Sequence, residues 1–350
     1  MKSSGVWKRG GILVLADRCF SADECKTGVG AIRYMDNVVG VLDREQAGKT
    51  TRQVLGFGKG LPIVARLSEA MALGPDHVLL GISPFGGRFP SDWRPFIRES
   101  LRRGLNIISG LHDNLSDDRE WRALAHKNHC RLIDLRKPPE GLTMSRGSWL
   151  KRKAVTILTV GSHSNVGKMT TALELRRAFL RRGFRAGFVA TGQTGILIKG
   201  GGVCIDAVPG DFMAGAVESM IDREARRNDC VFVEGQGSLT NQAFSGVTAA
   251  LLHGTMPDAM VFCHKILKAS DRFGFRFPPL ADLIRSHEDF LAHHKRCRVV
   301  AVALNTDGLS DREARKTIAR TERSTGLPAD DIIRNGPGRL SAALLKMCRR

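Results

Sequence analysis

AVTILTVGSHSNVGKMTTALELRRAFL, residues 154–180, holds a strand, a turn and a helix in succession. Val155 to Val160 is an apolar, β-branched run of the kind that fills a strand buried on both faces. Beyond the glycine-bounded turn, Ala172, Leu175, Ala178 and Phe179 recur at helical spacing. Such a unit makes an anion cradle. The N–H groups at the helix start and the positive end of its dipole face a phosphate, and Lys168 reaches over them. The turn therefore reads as a P-loop, with Gly161, Ser164, Asn165, Val166, Gly167, Lys168, Met169 and Thr170 expected around the phosphates. The common pattern G-x-x-x-x-G-K-[ST] places a Mg²⁺-binding hydroxyl after the lysine. Met169 stands there in this chain, with Thr170 as the nearest substitute. The expectation is a grip on phosphate without metal-assisted phosphoryl transfer, and no metal ligand is assigned.

Upstream, strand and helix signals alternate, the pattern of a parallel α/β sheet. Strands are expected at Ile12–Ala16, Val38–Leu42, His77–Ile82, Leu105–Ser109 and Arg131–Leu135, and helices at Leu67–Leu73, Trp93–Arg103 and Asp118–His129. In such sheets the loops at the carboxyl ends of the strands build the site. Here those loops are Ser83-Pro84-Phe85-Gly86-Gly87-Arg88 and Ser109-Gly110-Leu111-His112-Asp113. Gly48-Lys49-Thr50 imitates a P-loop, but no amphipathic helix is expected after it. The run Lys137-Pro138-Pro139-Glu140-Gly141 and the basic residues after it have linker composition. The expected domains are residues 1–145 and 146–350.

A chain of 350 residues is long enough for two ordinary cores. Its 54 Lys and Arg outnumber 35 Asp and Glu, for a net charge of +19. That field attracts anions. The basic residues are nevertheless scattered, down to the terminal Arg349-Arg350, and a single Tyr offers no stacking platform for nucleic acid. The expectation is a basic surface that draws in a small anion, with no nucleic-acid or membrane partner. The eight cysteines contain no C-x-x-C and fit reduced thiols in the cytoplasm. No apolar run approaches the ~18 residues that span a bilayer.

In the second half, Ala186–Ala190 ends in Thr191-Gly192-Gln193-Thr194-Gly195 and then Gly200-Gly201-Gly202, read as loops in which backbone can approach a ligand. A helix is expected over Asp211–Arg227. The apolar strand Cys230–Val233 delivers Glu234 at its carboxyl end, where a P-loop fold uses a carboxylate beside the phosphates. Glu234 equally suits a loop-bracing role. His264 leaves Ala259–Cys263 toward the same rim as a candidate acid, base or anion ligand, or as a satisfied structural residue. Ser310-Asp311-Arg312-Glu313 is a capping box opening the last large helix.

These blocks carry a resemblance. GSHSNVGKMTTALEL (161–175), FVATGQTGILIKG (188–200), DAVPGDFMAGAVE (206–218), VFVEGQGSL (231–239) and FSGVTAALLHGTMPDAMVFCHK (244–265), with GISPFGG (81–87), NIISGLHDNL (106–115) and DLRKPP (134–139), resemble a bacterial two-domain P-loop family. That family includes the D-glutamate N-acetyltransferases. The P-loop and the Glu-Gly block also resemble dethiobiotin synthetase, remotely. The chain departs from the family at His163, where Asp is usual, and at Asn241-Gln242, where His-Pro is usual.

The resemblance implies an N-terminal Rossmann-like parallel sheet that presents the substrate and a C-terminal P-loop NTPase-like α/β domain. It implies acetyl-CoA as cosubstrate and the amino group of an acidic D-amino acid as acceptor. Acetyl transfer needs a base, oxyanion donors and positioning. Glu234 or His264 is the candidate base. The backbone of Gly235 to Gly237 or the amide of Gln236 is the candidate oxyanion donor, and Arg88, His112, Arg136 and Gln193 are candidate substrate contacts. Two rival readings stay open: an ATP- and Mg²⁺-dependent ligase or kinase, and a non-catalytic anion- or nucleic-acid-binding protein. A homo-oligomer is compatible with either.

Overall fold

Short aliphatic runs alternating with amphipathic segments condense into two parallel sheets. A computed structural model of the chain describes residues 5–84, 86–266, 270 and 274–348. Phe85 of the first rim loop and the terminal Arg349-Arg350 lie outside the described residues. The strands are β1 Gly11–Leu15, β2 Val38–Leu42, β3 Ile63–Val64, β4 Pro75–Leu80, β5 Asn106–Ser109, β6 Leu132–Asp134, β7 Val155–Gly161, β8 Ala186–Val189, β9 Cys230–Val233, β10 Ala259–Lys265, β11 Arg298–Asn305 and β12 Ala329–Asp330. The α-helices are α1 Lys26–Tyr34, α2 Thr51–Leu55, α3 Leu67–Ala70, α4 Arg94–Arg102, α5 Arg119–Lys127, α6 Lys168–Arg181, α7 Gln193–Lys199, α8 Gly210–Ala225, α9 Ser245–Thr255, α10 Leu280–Ala292, α11 Asp311–Thr325 and α12 Gly338–Cys348. The chain divides into two compact units, residues 1–139 with 192–207 and residues 140–191 with 208–350.

The first unit carries a six-stranded parallel sheet in the order β3-β2-β1-β4-β5-β6. Leu15 pairs with Leu42 on one side and Leu80 on the other, and all three are fully buried. The strand order reverses beside β1, the switch point at which open α/β sheets bind ligands. Trp93, Ile97 and Leu101 on and just before α4, with Trp121 on α5, cover one face of the sheet. Asp118 caps α5 by accepting from the N–H groups of Glu120 and Trp121.

Two local expectations are corrected here. A five-residue helix, α2, does follow Gly48-Lys49-Thr50. Thr50 is its N-cap and completes a capping box with Gln53, so the hydroxyl of the imitation motif serves the backbone. Gln193-Thr194-Gly195, read as part of a glycine-rich loop, are the first turn of helix α7, which belongs to the first unit. Gly200 ends it with φ +90° and donates its N–H to Ile196 O, so this glycine is a helix stop.

The second unit is a parallel sheet in the order β12-β11-β10-β7-β9-β8. β7 is central, with Ile157 opposite Phe232 of β9 and Ala259 of β10. Phe179 of α6 packs edge-on against Phe232 at a centroid distance of 5.1 Å and seats that helix on the sheet. Ser310 and Glu313 close the expected capping box at α11. The run of chain before β7 is pinned to α8 by Glu218, whose buried carboxylate accepts from Arg146 N at 2.6 Å and Ser148 N at 2.7 Å. No helix among the described residues is long and apolar enough to cross a membrane.

Candidate active site

The turn after β7 is shaped by close packing. A Cβ at Gly161 would lie 2.6 Å from Cys263 O and 2.9 Å from Val166 Cγ2, so only glycine fits where β7 passes β10. Val166 is buried there as packing, and its contribution to a ligand is confined to backbone. Asn165 (φ +62°) and Gly167 (φ +102°) take left-handed conformations that aim the loop into α6. Gly167 is the N-cap and supplies no side-chain acceptor, so the first N–H groups of this fourteen-residue helix have no side-chain cap.

Lys168 is buried at that helix start, and its Nζ donates to His163 O at 2.6 Å, across the loop. Burial pushes its pKa down to about 8, with the Cys263 and Glu234 charges pulling the other way. Ser164, Met169 and Thr170 are half-buried and Asn165 is exposed. Thr171, the next hydroxyl inward, is buried and accepts from Cys263 Sγ at 3.5 Å.

Glu234 follows β9 directly. Its Oε2 accepts from Thr191 N at 3.0 Å, while its own carbonyl accepts from Thr191 Oγ1 at 2.6 Å. The carboxylate thus braces the end of β8 while adding negative charge near Lys168. Two of the donors expected to serve an oxyanion are already engaged. Gly235 N donates to Thr159 Oγ1 at 3.0 Å, and Gln236 Nε2 donates to Thr191 Oγ1 at 3.1 Å. The second hydrogen of the Gln236 amide is not used in that bond. His264 lies inside β10, not beyond it, and its Nδ1 sits 2.8 Å from Ser162 Oγ at the start of the P-loop. Burial lowers its pKa, which favours a neutral imidazole. Lys168, Glu234, Gln236 and His264 are therefore gathered at the carboxyl edge of one sheet.

The candidate substrate contacts all belong to the first unit. Arg136, just beyond β6, is buried and donates from Nη2 to Asp206 Oδ2 at 2.9 Å. Gln193 Nε2 donates to Ser83 Oγ at 3.3 Å. The His112 ring is pressed against Gly87, where a Cβ would fall 2.1 Å from Cδ2. Burial first and the Arg136 cation second push its pKa down. Arg88 does not join this cluster; its side chain is 82% exposed and lies 3.5 Å from Asp113. Among the described residues no group of three or more His, Cys, Asp or Glu side chains could hold a metal ion.

A P-loop domain described as a domain of unknown function, DUF1611_C, matches residues 143–341, and its partner, the Rossmann-like DUF1611_N domain, matches residues 44–138. The chain belongs to the DUF1611 family. A DUF1611 protein from Anabaena variabilis has a crystal structure that superposes with a TM-score of 0.92 at 34% identity, covering 97% of this chain and 100% of that one. Two curated relatives are named D-glutamate N-acetyltransferase. The protein from Pseudoalteromonas sp. is 37% identical over 284 residues, covering 79% of this chain and 84% of its own length. The protein from Tritonibacter scottomollicae is 38% identical over 283 residues, with the same coverage. The two-domain architecture and family expected from the sequence blocks are those of DUF1611.

Several residues of this candidate site carry no mark in the sequence. Thr159 reads as one more β-branched strand residue, yet its hydroxyl holds Gly235 N. Thr191 and Asp206 stand inside quoted blocks with nothing local to mark them as partners of Glu234 and Arg136.

Proposed function

We propose that the protein is an N-acetyltransferase that uses acetyl-CoA to acetylate the amino group of an acidic D-amino acid such as D-glutamate. The observation that carries this reading is a phosphate cradle complete in its backbone and lysine but with Met169 where the metal-binding hydroxyl belongs. A cradle of that kind suits a phosphorylated carrier whose reacting bond is remote from its phosphates. The names of the curated relatives support the same acyl chemistry.

When bound, the thioester supplies an activated acyl carbon. The α6 amides and Lys168 hold the carrier's phosphates. His264, kept neutral by burial, accepts a proton from the amine as the carbon–nitrogen bond forms, and returns it to the sulfur as the carbon–sulfur bond breaks, so that the carrier departs as its thiol. The free hydrogen of the Gln236 amide is the oxyanion donor, positioned by the bond to Thr191. Glu234 keeps that rim in register.

The test is incubation with acetyl-CoA and a panel of D- and L-amino acids while free thiol is followed. Thiol release matched by N-acetylated D-glutamate is expected. Absence of release with every amine overturns the reading.

A further inference from the structure

Polar side chains converge in the first unit where β4, β5 and β6 end. Arg136 Nη2 donates to Asp206 Oδ2 at 2.9 Å, and Nη1 donates to Cys204 Sγ at 3.4 Å. The Cys204 thiol donates in turn to Asp206 Oδ1 at 3.1 Å. Gln193 joins the network where its Oε1 lies 3.9 Å from Cys204 Sγ, and its Nε2 donates to Ser83 Oγ at 3.3 Å. The Arg136 side chain is only 6% exposed, whereas that of Asp206 is 30% exposed.

Taking a guanidinium out of water is costly unless its donors are well used. Only two of the five N–H groups of Arg136 have partners among the described residues. Asp206 has one bond to each oxygen, and a carboxylate has room for about four. A simple ion pair holding residues 192–207 to the sheet would not need a buried cation with donors to spare beside an acid open to solvent. Both members stand at the carboxyl edge of a parallel sheet, the usual ligand side of such folds.

We propose that Arg136 and Asp206 are the recognition pair for the zwitterionic head of an amino acid, the guanidinium taking the α-carboxylate and Asp206 the α-ammonium. The proposal rests on the reading of the protein as acting on an amino acid, and it adds the two groups that select for one. The pair is preassembled, because each member keeps its bond to the other while its spare capacity meets the ligand. Glutarate lacks the ammonium and 4-aminobutyrate lacks the α-carboxylate, so each forfeits one half of the contact.

Calorimetric titration of the full chain with D-glutamate, glutarate and 4-aminobutyrate, without acyl donor, tests it. Wild type is expected to bind D-glutamate at least tenfold more tightly than either analogue. Asp206→Asn should erase the preference over glutarate, and Arg136→Lys the preference over 4-aminobutyrate. Wild-type preference retained in both variants overturns the pair and leaves the acetyltransferase reading standing. A wild type that binds none of the three overturns the amino-acid reading, and the pair with it. Should Asp206→Asn or Arg136→Lys not fold, Asp206→Ser at the more exposed member of the pair replaces them. It should erase the preference for D-glutamate over glutarate, and an unchanged preference overturns the proposal.

Discussion

His163 and Asn241 are hydrogen-bonded to each other, Asn241 Nδ2 to His163 Nε2 at 3.3 Å. Two of the three residues at which this chain departs from the pattern it resembles, His163 and Asn241 but not Gln242, are therefore in contact, 78 residues apart in sequence. Donation from the amide fixes Nε2 as acceptor and leaves Nδ1 to donate to Ser164 O at 3.1 Å. An imidazole on the P-loop here faces an amide.

Exchange of the pair is the first prediction. His163→Asp alone shortens the side chain and breaks the contact with Asn241, and Asn241→His alone sets two imidazoles together. Each single variant should lose about 1 kcal/mol or more of stability. The double variant should recover most of that loss in urea unfolding. Additive losses in the double variant would show the two positions to be independent.

Lys168 gives the second. Its pKa of about 8 in the folded chain lies below the ordinary 10.5. Between those values the unfolded chain holds a proton that the folded chain has released. Lys168 therefore adds stability as pH rises from about 8 to 10.5, and that contribution is lost as pH falls through 8. A phosphate at the loop should restore the ammonium. Binding of adenosine 3′,5′-bisphosphate at pH 9 is expected to take up most of one proton, measured by calorimetry in buffers of differing ionisation heat. Lys168→Met should abolish the uptake, and zero uptake by wild type would contradict the assignment.

Two glycines provide a contrast. A Cβ at Gly235 would lie 1.7 Å from Thr159 O, with backbone on both sides of the contact. Gly235→Ala should cost several kcal/mol or prevent folding, because β7 and β9 must part to admit it. Gly246, in the first turn of α9, has nothing within 4 Å of that position. Gly246→Ala should raise stability by about 0.5–1 kcal/mol in thermal or urea unfolding. Equal responses would show that backbone crowding at Gly235 is not the constraint.

Much of this was legible along the chain because it is local. The buried strand at 155–160, the glycine turn into α6 and the capping box at Ser310 each follow from a few neighbouring residues. Strand ends were also close, with Val38–Leu42 matching its element. What stayed hidden is non-local. Nothing in the periodicity of residues 192–207 says that they pack with the first unit, or that Asp206 will find Arg136 70 residues away. Glycine density around Gln193 suggested a loop, although Gly200 after Lys199 is a helix stop by its position. Gly235 looked like an oxyanion donor because its partner, Thr159, lies on another strand.

The proposed function requires the Gly167-Lys168 turn to hold the acyl carrier. Calorimetric titration of acetyl-CoA into wild type and into Lys168→Ala tests this directly. Removal of the cation is expected to weaken binding at least tenfold, with the fold retained by circular dichroism. Equal affinity for the two proteins would contradict it.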